Sequence, residues 1–219
     1  MTNNASATPA SPTLALASDD PRFVFAKAAA LAAAVIDGVA AEQLDLPTPC
    51  TDMDVRQLLR HLTMVVRRVT ALGHGTNPFA VGDGSDVPDD GFGAAWADGV
   101  DQARQAWADD ARLAASITLP WAEVDGAGAL GMYTNEVTLH TWDLATATSQ
   151  RPQWDEQVLQ VSFDSMVPML PENRVEMFEA VRAKMPEGTP FVYPYAEAQP
   201  TAPNAPLLDR LLAWSGRTA

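Results

Sequence analysis

Apolar residues recur along this chain mostly at three- and four-residue steps, the spacing of one face of a helix, rather than at the two-residue step of a half-buried strand. Asp20-Pro21 reads as a helix start, with Asp20 as N-cap and Pro21 in the first helical position. The first helix runs to about Ala41, with Phe23, Phe25, Leu31, Val35, Ile36 and Val39 as its apolar points. Leu44 to Pro49 carries two prolines and is a connecting loop. Thr51 is expected to cap a second helix, with Asp54 three residues on as the acid of a capping box. That helix reaches Gly73 along the stripe Val55, Leu58, Leu59, Leu62, Val65, Val66 and Val69. His74 to Asp90, rich in Gly, Asp and Pro, is a flexible excursion.

A third helix is expected over Ala94–Ile117, turning Trp96, Val100, Ala103, Trp107 and Leu113 inward and ending before Pro120. Asp125 to Gly131 is a loop or frayed start to a fourth helix, which carries Met132 to Ala147. After a break at Gln150-Arg151-Pro152, further helices are expected at Asp155–Met169 and Glu172–Met185. Gly188 to Tyr195 reads as extended or irregular chain, Ala198 to Pro206 as a Pro-rich linker, and Leu207–Ser215 as a short amphipathic helix docking back on the body. No segment alternates well enough for a core strand, and there is no internal repeat. The pattern predicts an all-α protein: a disordered tail over 1–19, a helical body over 20–187, and a C-terminal tail with a docking helix over 188–219.

Composition narrows the partners. The 219 residues carry a formal net charge of -14, which argues against nucleic acid and anionic membrane surfaces, since phosphate binding needs clustered Lys and Arg. No apolar run is long enough to span a membrane. The N-terminal stretch lacks the basic and apolar regions of a signal peptide. The single cysteine, Cys50, excludes an internal disulfide and a Cys-rich zinc site, and a cytoplasmic setting is expected. Cys50 precedes a helix N-terminus, where a thiol pKa can fall, but no base stands near it in sequence; packing is the simpler role.

The fourth helix holds the first candidate chemistry. Glu136 and His140 are four residues apart, so they lie roughly 40° apart on one face, one turn above the other. A carboxylate and an imidazole so placed can share a metal ion. Taken alone, the pair reads first as an amphipathic helix whose Glu and His bond each other or water. His61 falls beside the apolar stripe of the second helix and on its own reads as a satisfied interior histidine, and His74 as a cation at a helix C-terminus. Arg56, Arg60, Arg67 and Arg68 give the second helix a basic face, either solvated or supplying a carboxylate clamp.

Two motifs change this picture. Pro49-Cys50-Thr51-Asp52-Met53-Asp54-Val55-Arg56-Gln57-Leu58-Leu59-Arg60-His61 resembles the Pro-Cys-x-x-Trp-x-Val-x-x-Leu-x-x-His signature of the DinB/YfiT-like superfamily. Glu136-Val137-Thr138-Leu139-His140-Thr141-Trp142-Asp143-Leu144-Ala145 resembles the Glu-x-x-x-His-x-Trp-Asp-Leu-Ala of its actinobacterial branch, which includes mycothiol-dependent maleylpyruvate isomerase. The ending Ala205-Pro206-Leu207-Leu208-Asp209-Arg210-Leu211 through Gly216-Arg217 is similar to that of a metal-binding subfamily of the same branch. The resemblance runs from about Pro21 to the end of the chain. It departs at Met53, where the family usually has Trp, and in the short C-terminal tail, where the isomerases have a larger C-terminal domain that contributes to their substrate site.

The resemblance implies a DinB-like four-helix bundle with additional C-terminal helices. It implies a divalent metal, most readily zinc with nickel or manganese as alternatives, held by His61, Glu136 and His140. Two histidines and one carboxylate form a three-ligand site with an open fourth position, the arrangement of catalytic zinc. Relatives of known activity activate a low-molecular-weight thiol such as mycothiol, so a metal-dependent thiol transferase or isomerase acting on a small electrophile is the leading expectation. Asp143, seven residues beyond Glu136, either orients a ligand histidine, accepts a proton, or is an exposed or capping carboxylate. The competing expectations are a non-catalytic metal- or ligand-binding helical protein and a metal-dependent hydrolase; no His-Glu-x-x-His general base favours hydrolysis. The expected partner is a small-molecule substrate, with the chain a monomer or homodimer.

Overall fold

A computed structural model of the chain describes residues 19–50, 52–119, 122–172, 174–183 and 195–218. The helix starts follow local chemistry. Helix α1, Pro21–Asp37, opens with the Asp20 carboxylate accepting from the Arg22 amide at 2.8 Å and Pro21 in the first turn. It ends four residues short of the sequence expectation, at Gly38, which costs more in a helix interior than Ala does. Helix α2 is Val55–Gly73. Asp54 is its N-cap: the carboxylate accepts from the Gln57 amide while the Gln57 side chain accepts from the Asp54 amide. The capping box thus lies three residues later than expected, and Thr51 lies outside the described residues.

The larger correction follows helix α3, Phe92–Ala106, which was expected to continue to Ile117. It stops where Trp107 buries itself and donates its indole N–H to the Val69 carbonyl of α2 at 2.8 Å. A single turn, α4 (Ala111–Ala114), leads into an antiparallel hairpin of β1 (Ser116–Leu119) and β2 (Ala122–Asp125), in which Ile117 faces Val124. Non-local pairing overrides the helical reading here: Ile117 and Leu119 are buried while Ser116 and Thr118 are exposed, a short two-residue alternation. Asp125 then caps helix α5, Gly126–Ala147, so the stretch expected as loop or frayed start is already helix.

The remaining helices are α6 (Glu156–Met166), α7 (Val175–Arg182) and α8 (Leu207–Trp214), the first two shorter than expected. The extended stretch expected from Gly188 lies outside the described residues up to Pro194. Among the described residues no helix is long and apolar enough to cross a membrane.

Helices α1, α2, α3 and α5 close a four-helix bundle: α2 packs on α3 and α5, and α1 on α5 and α3. Its core includes Val24, Ala28, Leu58, Leu62, Val66, Trp96, Leu130, Val137 and Leu144. Met53, at the position where the resembled family has Trp, packs partly buried against this core. Outside the bundle, α6 lies on α5 and α8 lies on α6, enclosing a second cluster of Leu139, Leu159, Met166, Leu170, Phe178, Leu211 and Leu212.

Helix α5 is therefore sandwiched between two cores and buried on nearly all sides. Its buried Thr134, Thr138 and Thr141 each donate their hydroxyl to the carbonyl four residues back, at 2.7 to 2.8 Å, so none is left unsatisfied. This central helix carries most of the candidate site.

Candidate metal centre

The packing of α2 on α5 brings together side chains far apart in sequence. The His61 Nε2 atom lies 3.2 Å from Glu136 Oε1, and the rings of His61 and His140 meet edge to face with centroids 4.6 Å apart. One ligand atom from each of His61, Glu136 and His140 falls within 4.8 Å of the other two. The three residues are partly buried, with side-chain exposures of 23%, 27% and 12%.

The surroundings set each group's charge. Burial pushes the Glu136 carboxyl up, but the hydrogen bond to His61, the nearby His140 and the Arg68 guanidinium outweigh it and hold the group below its usual value. Burial pushes the His140 imidazole down, against the upward pull of Asp143, leaving it below the ordinary histidine value. An ionised carboxylate and a neutral imidazole are the forms in which these groups ligate a metal. The donor set of two imidazoles and one carboxylate suits zinc or a neighbouring divalent ion and leaves room for a further ligand.

Behind the site stands a second layer. The Asp143 carboxylate, fully buried, accepts from His140 Nδ1–H at 3.1 Å. The same carboxylate takes both arms of Arg217: Nε donates to Oδ1 at 2.8 Å and Nη2 to Oδ2 at 2.7 Å. Burial raises the Asp143 carboxyl, but the Arg217 and His140 hydrogen bonds prevail and hold it below its ordinary 3.8. With Nδ1 committed to Asp143, Nε2 is the His140 atom free to ligate.

Cys50 lies close by, its sulfur within 4.8 Å of ligand atoms of His140 and Asp143. Burial, reinforced by the Asp143 charge, pushes its thiol up to about 11, the opposite of an activated nucleophile. The Asn135 side-chain amide donates to the Tyr195 hydroxyl at 3.3 Å, bringing a residue of the C-terminal segment beside Glu136.

Arg56 and Arg67 of the basic face are tied to Asp45, Asp89 and Asp86, and Arg68 lies over the Phe79 ring at 5.3 Å. His74 is the exposed C-cap of α2, remote in role from the cluster. Arg217 and Tyr195 escaped sequence reasoning as site residues. The Gly216-Arg217 ending was visible, but nothing local says which carboxylate it meets.

A four-helix bundle with an inward-facing His, Glu, His cluster defines a class of helical proteins with a candidate metal centre. The chain belongs to the mycothiol maleylpyruvate isomerase N-terminal domain family, whose sequence profile matches residues 25–145, from within α1 to the last turn of α5. It is 30% identical over 200 residues to uncharacterized proteins of Mycobacterium tuberculosis, from strains CDC 1551 / Oshkosh and H37Rv, covering 91% of this chain and 98% of each relative. No solved structure matches. His61, Glu136, His140 and Asp143 all lie inside the matched span, and Arg217 lies beyond it.

Proposed function

We propose that this protein is a divalent-metal enzyme that activates a low-molecular-weight thiol, of the mycothiol type, for transfer to or isomerisation of a small electrophile. The observation that carries the proposal is the convergence of His61, Glu136 and His140 ligand atoms within 4.8 Å on facing helices. Membership of a mycothiol-linked family supplies the thiol part of the reading. A bound divalent ion supplies Lewis acidity there, lowering the pKa of a thiol or water at an open position.

The chain's own groups have separable tasks. Glu136 contributes the single negative charge among the three proposed ligands. Asp143 orients His140 by accepting a hydrogen bond from its Nδ1–H. Arg68, whose guanidinium adds to the pull of His61 and His140 that holds the Glu136 carboxyl low, biases the site toward anionic reactants. Cys50, with its raised pKa, packs beside the site and takes no part as nucleophile.

Elemental analysis of the purified protein beside His61→Ala and His140→Ala tests the metal. About one ion per chain is expected in the parent, with loss in both variants and helical circular dichroism retained. A parent that is metal-free and cannot be loaded with zinc, nickel or manganese overturns the proposal. Turnover of an electrophile panel then separates reactions: dependence on added thiol supports the reading, and turnover without thiol selects hydrolysis instead.

A further inference from the structure

Helix α8 ends in a left-handed turn packed against Ala196. Gly216 takes a positive φ of 82°, and a Cβ there would come within 2.7 Å of Ala196 Cβ and O. The Gly216 amide donates to the Ala213 carbonyl at 3.1 Å and the Arg217 amide to the Leu212 carbonyl at 2.8 Å, the paired bonds of a Schellman stop. The left-handed turn sends the next side chain, Arg217, back toward α5 rather than out to solvent; its side chain is 9% exposed.

The end of α8 is itself held in three ways. Leu211 and Leu212 are fully buried in the second core. The Trp214 indole donates to the Leu170 carbonyl at 3.1 Å. The buried Arg174 guanidinium donates to the carbonyls of Trp214, Ala196 and Pro171.

We infer that Arg217 is a positioning residue for His140, delivered by the docked C-terminal helix to lock the Asp143 carboxylate that orients the imidazole. The planar fork of Arg217 engages both carboxylate oxygens and so fixes the plane of the carboxylate, which a single contact to His140 would leave free to rotate. With that plane fixed, Oδ2 faces His140 Nδ1, selects the Nδ1–H tautomer, and leaves the Nε2 lone pair for the site. The inference rests on the metal reading above for its functional meaning. Its geometric core, control of the His140 tautomer through Asp143, is tested without metal.

The full-length protein, Arg217→Gln and Arg217→Lys are compared, with circular dichroism to establish folding. In metal-free protein labelled with nitrogen-15 histidine, near neutral pH, the parent is expected to show His140 protonated at Nδ1, and Arg217→Gln a shift toward the Nε2–H form. Zinc affinity, from competition with a chelator, is expected to weaken about 10- to 100-fold in Arg217→Gln. Arg217→Lys, which keeps the charge and loses the fork, is expected to fall between the two; it also carries the comparison if Arg217→Gln does not fold.

A lowered melting temperature with unchanged His140 shifts and unchanged zinc affinity would make Arg217 a tail staple only, and overturns the inference. If the parent takes up no zinc, the metal reading fails on its own, and the nitrogen shifts alone decide: unchanged shifts overturn the inference, shifted ones support it.

Discussion

Removing either partner of the Asp143–Arg217 pair should unfold the protein far more readily than its place near the chain terminus suggests. Asp143 is 0% exposed, so solvent screening gives its pairing no discount, and Arg217 is 9% exposed. Arg217→Ala leaves a buried carboxylate with one remaining donor, His140 Nδ1–H at 3.1 Å. Asp143→Ala leaves a buried guanidinium without a counter-charge. Breaking a buried pair by deleting one member costs about 3–5 kcal/mol, a large share of a total stability of about 5–15 kcal/mol. For a urea slope of about 2 kcal/mol/M, each single variant should lose roughly 2 M in midpoint. The double variant carries neither charge, so it should cost no more than the worse single. That corresponds to a coupling of at least about 3 kcal/mol in a double-mutant cycle.

The cycle is measured by urea unfolding in the presence of a chelator, so that metal binding does not contribute. Tryptophan fluorescence and circular dichroism are followed together; Trp96 reports the bundle core and Trp214 the second cluster. Single variants within about 1 kcal/mol of the parent, or strictly additive losses, would mean the pair is solvated and would refute the burial argument.

Three further predictions follow from the same structure. Because the folded Asp143 carboxyl lies below its ordinary value, its contribution is fully present above pH ~4 and is lost as pH falls through the folded value; urea midpoints measured downward from neutral pH should show a steeper acid loss in the parent than in Asp143→Asn. Cys50, with its thiol pushed up to about 11, should alkylate with iodoacetamide at mildly alkaline pH roughly two orders of magnitude more slowly than a free thiol, and a rate close to the free thiol's would contradict its burial beside Asp143. A Cβ at Gly99 would sit 2.5 Å from Val66 Cγ1, where α3 crosses α2. Gly99→Ala should therefore cost about 1–2 kcal/mol, overpacking offset in part by helix propensity, and less in a Val66→Ala background; equal costs in both backgrounds would place the strain elsewhere.

Much of the bundle was legible because its signals are local. Asp20-Pro21 caps α1 through contacts two residues long, and the stripe from Val55 to Val69 turns α2 inward by simple periodicity. The one-face placement of Glu136 and His140 is a property of any helix over that stretch. Reading failed where local and distant preferences disagree. The apolar spacing past Trp107 continues a helix on paper, but Trp107 is drawn to Val69 and Ile117 to Val124, so the chain turns into a hairpin. The capping box moved to Asp54 and Gln57 because the backbone between Pro47 and Asp54 closes on itself by a bridge before the helix can begin.

By itself the sequence determined the helices that matter and the one-face placement of Glu136 and His140; the candidate set His61, Glu136 and His140, like the family, came through resemblance. Only the tertiary structure decided that Asp143 faces His140 rather than solvent, that Arg217 reaches it across 74 residues, and that Cys50 is a partly buried thiol with a raised pKa. The reason is the range of the forces involved. Caps and amphipathic stripes depend on neighbours within a turn or two. The charge state and orientation of a buried group depend on which distant side chains the closed fold leaves within hydrogen-bonding reach.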